Sequence, residues 1–175
     1  MIRRLARLGI LAAIGVWLAE RNLAMAALGR PPAPVRTFVV IDAPIDRVWA
    51  EVADIEGQPR WMHDMKEVRV LTPGPTGVGT RGEATVRILG VAVKDPVTIT
   101  EFEPPRRFAV RHEGQFSGAG LLTLEPGADG TTTIVTWEET ILPPVLPRLG
   151  SLLLQPILAR VFQADLYRLR QIVEA

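Results

Sequence analysis

The chain has 175 residues, contains no cysteine, and carries 20 Lys and Arg against 19 Asp and Glu. Its length suits one domain with a buried core, and the lack of cysteine excludes thiol catalysis and thiolate metal sites. Residues 1–36 carry +5 (six arginines, one glutamate) and the rest −4 (14 basic, 18 acidic), and a mildly acidic folded part argues against nucleic acid as a partner.

Residues 1–29 form an N-terminal hydrophobic segment. Three arginines, the last of them Arg7, precede an uninterrupted apolar run from Leu8 to Ala19. This layout is typical of a secretory signal peptide, and Ala24-Met25-Ala26 offers a small-x-small cleavage site. The competing interpretation is an uncleaved membrane anchor that continues through Leu28 and lies tilted or at the interface, because the clean run is shorter than the ~20 residues of a full span. A third interpretation is a soluble helix packed on its own domain.

The same segment predicts a membrane-associated or exported protein. Glu20 and Arg21 would lie within the span of an anchor unless they reach an interface. Arginines on both sides of the apolar run dilute the charge asymmetry, so the orientation stays open. A Pro-rich linker at residues 30–36 forms a stiff spacer before a folded domain at residues 37–175.

A first strand and two short helices are predicted next. The run Phe38–Ile41 is extended and apolar, and Pro44 stands where proline suits the first turn of a helix. Val48 and Val52 then give that helix an apolar face. Residues 59–63 predict a second short helix or a turn.

Six further strands follow, joined by short turns. Between Arg81 and Ile88, polar residues alternate with small or apolar ones, so the small residues of one face leave room behind them. Short turns between successive strands favour an antiparallel meander. The predicted strands are 66–71, 81–88, 91–102, 107–113, 120–125 and 131–141.

The C-terminal segment predicts an amphipathic helix that closes the fold. From Leu158 to Val173 the apolar residues form one broad stripe, which we expect to pack into the curved sheet. Pro156 either starts this helix or kinks it. The apolar residues 142–154 are out of register with the stripe, and they form a lid, a membrane-touching surface or a part of the core.

Three of these segments resemble the START-like helix-grip superfamily (SRPBCC), in particular its polyketide cyclase/dehydrase and lipid-transport branch. They are the run from Phe38 through Asp42-Ala43-Pro44, the Pro104-Pro105 corner between two strands, and the C-terminal helix, within a resemblance that covers residues 37–174. The resemblance implies an α+β helix-grip fold, in which a curved antiparallel β-sheet wraps around a long C-terminal α-helix. Two short helices follow the first strand, and the N-terminal hydrophobic helix is separate. It also implies a hydrophobic small-molecule ligand, such as a lipid, an isoprenoid or a polyketide, and no cofactor.

Two titratable residues are expected to point into the interior. His112 shares strand parity with apolar residues of its own strand, and it could act as a general base or as a hydrogen-bond donor. Asp165 falls near the middle of the helical stripe, where a carboxylate needs a partner or a proton, or contact with water or a ligand. It is either a polar contact for the ligand or the partner of an arginine from the sheet. Glu138 and Glu139 point to opposite faces of their strand and form no dyad.

The predicted site is a pocket between the sheet and the C-terminal helix. The resemblance places Trp61 near its mouth and Trp137 on an inward strand face with Val135. His63 lies in a turn and lacks the spacing of a metal pair, so no metal site is predicted. The candidates for catalysis are His112, Asp165 and Glu139. The candidates for ligand binding are Trp61, Ala84, Val86, Phe108, Val110, His112, Val135, Trp137, Phe162 and Asp165.

Three functions from different classes remain, since the sequence contains no nucleophile elbow, phosphate-binding glycine loop, dinucleotide fingerprint or metal-spaced histidine cluster. The first is non-catalytic binding or transfer of a hydrophobic small molecule. The second is a cyclase/dehydrase-type enzyme that uses acid/base residues of the pocket without a metal or nucleotide cofactor. The third is a protein-interaction module without a ligand, which requires a filled interior. The sequence leaves the oligomeric state open.

Overall fold

The computed structural model describes residues 2–88 and 90–175. Within these residues, three α-helices and a 3₁₀ helix accompany one sheet. The helices are α1 (Ile2–Ala26), α2 (Ile45–Ala53), the 3₁₀ helix (Ile55–Arg60) and α3 (Pro147–Glu174). The strands are β1 (Val35–Ile41), β2 (Met65–Val70), β3 (Arg81–Ile88), β4 (Val91–Glu103), β5 (Arg107–Glu113), β6 (Ser117–Pro126) and β7 (Thr133–Leu142).

All seven strands form one antiparallel sheet in the order β1-β7-β6-β5-β4-β3-β2. Strands β2 to β7 pair in chain order, and β1 pairs with β7. The pairing register shifts between Met65 and Glu67 and between Ile99 and Glu101, and such bulges bend a strand. The predicted meander is confirmed, with Pro104-Pro105 at the turn between β4 and β5.

The core lies between the inward face of the sheet and the C-terminal half of α3. Buried and exposed residues alternate along β1, as expected for a strand with one face on the core. Leu166 and Leu169 of α3 are completely buried, as is Val135 of β7. Helix α3 packs chiefly on β1 and β7. It therefore leaves a space in front of the inward faces of the strands farther along the sheet.

Helix α3 extends well before the apolar stripe that starts at Leu158. It begins at Pro147, and of the two arrangements considered for Pro156 the structure has this proline inside the helix rather than at its start. Proline is compatible with the first turn because the N–H groups there have no intrahelical partner, and Pro156 removes only one interior hydrogen bond. The apolar residues from 147 to 154 are therefore the first turns of this helix.

The N-terminal part contains one long helix, and β1 starts at Val35, inside the segment that we assigned to the linker. Among the described residues, Leu8–Ala26 is the stretch long and apolar enough to cross a membrane, and no residue in it is fully buried in the structure. A helix of this kind is compatible with a signal sequence or an anchor.

Candidate ligand-binding cavity

A cavity of about 270 Å³ lies between the inward face of the sheet and α3. Its wall is mainly apolar, and it includes Ile99, Phe108 and Leu122 from the sheet with Leu158 and Phe162 from the helix. This volume is close to the lower end of ligand pockets, roughly 300–1,000 Å³. The cavity therefore suits a compact apolar molecule or one chain of a larger one.

Small residues of the sheet create this space. Gly82 and Ala84 line the cavity from β3 and Gly120 lines it from β6, so none of the three fills it with more than a methyl group. The predicted alternation of β3 is confirmed at Ala84, which is buried, with Arg81 exposed at the start of the strand.

One polar cluster interrupts the apolar wall, and His112 is its centre. The His112 Nδ1 atom lies 2.6 Å from Asp95 Oδ2, and Nε2 lies 3.0 Å from Glu139 Oε1. The indole Nε1–H of Trp137 donates to Glu139 Oε2 at 2.9 Å. Both carboxylates are largely shielded, since 15% of the Asp95 side chain and 5% of the Glu139 side chain are exposed.

Strand register explains how residues from three strands meet. Val97 of β4 pairs with His112 of β5, which places Asp95 one inward position away. Glu139 of β7 is separated from β5 by β6, where it pairs with Gly120. A Cβ atom at residue 120 would lie 2.4 Å from Glu139 Oε2. The carboxylate can therefore cross β6 toward His112 because position 120 has no side chain.

The histidine of this cluster is charged at neutral pH. Burial lowers the pKa of His112, but hydrogen bonds to Asp95 and Glu139 and the charges of these residues raise it more, to about 10. An imidazolium has two N–H donors and no free lone pair, so His112 cannot accept a proton as a general base in this state. Of the two predicted roles, the geometry supports the hydrogen-bond donor, with both donors already directed at carboxylates.

Asp165 of α3 brings a carboxylate to the cavity wall apart from those of Asp95 and Glu139, and only 4% of the residue is exposed. Its Oδ1 atom accepts the backbone N–H of His63 at 2.9 Å. Burial raises the pKa of Asp165 to about 6, against the opposing effect of that hydrogen bond. In the described part of the chain its bonded partner is thus a backbone amide, not the arginine from the sheet that we considered.

Replacing Asp165 with asparagine should stabilise the protein above pH 6. Because the pKa of Asp165 is about 6 in the folded protein and 3.8 ordinarily, ionisation weakens folding progressively as the pH rises from 3.8 through 6. Asparagine keeps an acceptor for the His63 amide and carries no charge. We expect a gain of about 1–3 kcal/mol in the free energy of unfolding at pH 7 and a smaller gain at pH 4.

Chemical denaturation across this pH range measures the effect. The control is Asp46→Asn, which changes an exposed aspartate of α2 and should show no such gain. A gain of equal size at pH 4 and pH 7 in the Asp165 variant would contradict the assignment of the effect to ionisation.

The structure brings most of the predicted site residues to the cavity. Two predicted contacts lie elsewhere, because Trp61 and Val135 are completely buried in the core, and the Trp61 ring lies edge-on to the Trp137 ring at 5.9 Å. The predicted residues that line the cavity are Ala84, Val86, Phe108, Val110, His112, Trp137, Glu139, Phe162 and Asp165.

Sequence reasoning missed Asp95, although a signal was present. Asp95 shares strand parity with Val93 and Val97, and all three line the cavity. A carboxylate between two valines on one face of a strand is costly to bury without a partner. The expected separation of Glu138 and Glu139 is observed, since Glu138 pairs with Arg36 and Glu139 contacts His112.

Together, these features define a helix-grip protein with an internal cavity. The chain belongs to the polyketide cyclase / dehydrase and lipid transport family, whose profile matches residues 32–174. The resemblance to the START-like superfamily and the predicted fold class are confirmed by this match and by solved structures. A comparison with curated proteins finds no match.

Three solved structures illustrate the similarity. An aromatase/cyclase from Streptomyces sp. R1128 is 20% identical, with a TM-score of 0.65 over 81% of this chain and 93% of that chain. A START superfamily protein from Mycobacterium smegmatis is 17% identical, with a TM-score of 0.63 over 80% and 99%. A protein from Deinococcus radiodurans is 24% identical, with a TM-score of 0.62 over 81% and 96%. Identities this low establish the shared fold alone.

Proposed function

We propose that this protein binds or transfers a hydrophobic small molecule, such as a lipid, an isoprenoid or a polyketide-like compound. The observation that carries the proposal is the mainly apolar cavity between the sheet and α3. A filled interior, which the interaction-module hypothesis requires, does not fit a cavity of about 270 Å³.

The polar cluster narrows the chemistry of the ligand. Both donors of His112 and the indole N–H of Trp137 are directed at carboxylates, so the cluster has few donors left to offer. Its carboxylate oxygens can each accept a further hydrogen bond. Beside this cluster, the hydroxyl group of a mainly apolar molecule therefore fits better than a carboxylate does.

A cyclase/dehydrase-type enzyme is the second candidate, and Asp165 is the observation that favours it. A carboxyl group with a pKa of about 6 at a cavity wall is suited to proton transfer near neutral pH. The charged state of His112 makes it an electrostatic group rather than a base in such a reaction. If this function holds, Asp165→Asn should abolish turnover of a poly-ketone substrate and leave its binding intact.

Mass spectrometry of the purified full chain tests the leading proposal. Native spectra give the stoichiometry of any bound molecule, and spectra of the denatured sample give its identity. We expect one hydrophobic molecule per chain. A chain that carries none, and takes up neither a long-chain alcohol nor an isoprenoid alcohol offered in vesicles, would contradict the proposal.

A further inference from the structure

A carboxylate within the apolar sequence of α1 holds this helix against α3. The two carboxylate oxygens of Glu20 accept the backbone N–H groups of Arg148 and Leu149 at 2.9 and 2.8 Å. These residues follow Pro147 in the first turn of α3, and Leu146 provides no side-chain cap. Glu20 belongs to another helix, but it accepts the free N–H groups of α3 as an N-cap side chain ordinarily does. Its negative charge lies at the positive end of the α3 dipole.

The contact uses one face of the last turns of α1. Glu20 and Leu23 of α1 and Ala27, which directly follows it, are half-buried, and their spacing places them on one side of a helix. From Leu8 to Ala19 every residue is exposed, so this part of α1 projects beyond the folded domain. A protein partner or a core would cover one face of such a helix, whereas a helix that is apolar on all sides fits the interior of a bilayer.

The length of this projection is consistent with tilted insertion from one side of a bilayer. The apolar run from Leu8 to Ala19 is about 18 Å long at 1.5 Å per residue, shorter than the ~30 Å hydrocarbon core, so it enters the core without crossing it. Glu20 would then lie where the helix leaves the membrane. Arg21, whose guanidinium lies 5.5 Å from the Trp17 ring centre, is at the same level, and Arg148 lies at the start of α3. This basic rim complements anionic headgroups.

The first half of α3 continues the apolar surface beside this contact. Leu152, Leu153 and Ile157 are each about half or more exposed, with Leu153 at 67%. Ile157 also lines the cavity, next to Leu154 and Leu158. The cavity wall therefore reaches the surface on the part of α3 that α1 holds.

We propose that α1 anchors the protein in a phospholipid bilayer and that its Glu20 contact with α3 holds the exposed leucines of α3, beside the cavity, against the membrane surface. This arrangement requires that α1 is retained in the folded protein, since cleavage after Ala26 would remove the cap of α3. A ligand could pass between the bilayer and the cavity without crossing water. This contact between α3 and the membrane does not depend on whether the cavity binds its ligand or converts it.

Site-specific fluorescence tests the proposal, and the chain suits it because it has no cysteine. Leu153→Cys and Tyr167→Cys each give one labelling site on an exposed position of α3, the second in its C-terminal half. The full chain is labelled with a polarity-sensitive dye and placed in vesicles of phosphatidylcholine and phosphatidylglycerol, with and without lipids that carry a quencher. We expect a blue shift and strong quenching at residue 153 and neither at residue 167.

The Glu20→Ala variant separates the docking contact from the anchor. A label at Leu11→Cys should remain quenched in this variant because α1 stays in the bilayer, while quenching at residue 153 should fall. Equal quenching at residues 153 and 167 in the otherwise unchanged protein would overturn the proposal. A blue shift at residue 153 without quenching by the lipids would also overturn it, because a protein contact would then shield the label. Circular dichroism of each variant establishes that the domain is folded.

Discussion

Replacing His112 with glutamine should lower the free energy of unfolding at neutral pH by about 3–5 kcal/mol, because it leaves two shielded carboxylates without their cation. In the native protein His112 lies between Asp95 and Glu139, at 2.6 and 3.0 Å. A neutral amide can donate to one of them but cannot balance their charge. Chemical denaturation of both proteins at pH 7 measures the loss.

The pH dependence gives this prediction a second readout. The pKa of His112 is about 10 in the folded protein and 6.5 ordinarily, so the folded state holds this proton more tightly than the unfolded state. The resulting stability is fully present below pH 6.5 and is lost as the pH rises through 10. The difference between the native protein and the glutamine variant should therefore shrink over this range.

The chain offers a matched control in its only other histidine, His63, which is exposed. The substitution His63→Gln should change the free energy of unfolding by no more than about 0.5 kcal/mol. If the stability of the native protein and of the His112 variant runs in parallel from pH 6.5 to 10, the charged state assigned to His112 is wrong.

Filling the cavity should abolish ligand binding. Ala84 is 2% exposed and lines the cavity from β3, so in Ala84→Phe a benzyl group occupies the space that a ligand needs. Overpacking of this kind costs about 1–3 kcal/mol, which a folded domain can tolerate. We expect the molecule that accompanies the native protein to be lost from this variant, as measured by mass spectrometry after denaturation.

The control for this variant is Ala119→Phe, which adds the same group at an exposed position of β6. It should keep the ligand at the native stoichiometry. Retention of the ligand in a folded Ala84→Phe protein would show that the molecule binds outside the cavity, for example along α1.

Local periodicity was sufficient to predict most of the sheet. The bounds of β3 and β5 are those that alternation and the flanking turns predicted. The start of α3 was left open because Pro156 suits either the first turn of a helix or a kink, and in the structure it lies inside a helix that begins at Pro147. A proline pattern alone does not distinguish these arrangements.

The contacts of the site depend on distant residues, which a single sequence does not pair. Asp95 meets His112 only through the register of β4 and β5, which a bulge shifts between Ile99 and Glu101. Glu20 is 128 residues from the amide of Arg148 that it caps. The sequence showed that Glu20 is costly in an apolar helix, but only the fold provides its partner.

Photo-crosslinking tests most directly whether the cavity holds a hydrophobic molecule. A long-chain alcohol that carries a diazirine is added to the full chain in vesicles and activated by light, and the modified residues are identified by tandem mass spectrometry. We predict adducts at cavity residues such as Phe108 and Phe162, and their loss in Ala84→Phe. Adducts confined to α1 and to the exposed leucines of α3 would contradict the proposed function, because the probe would then have reached only the membrane surface.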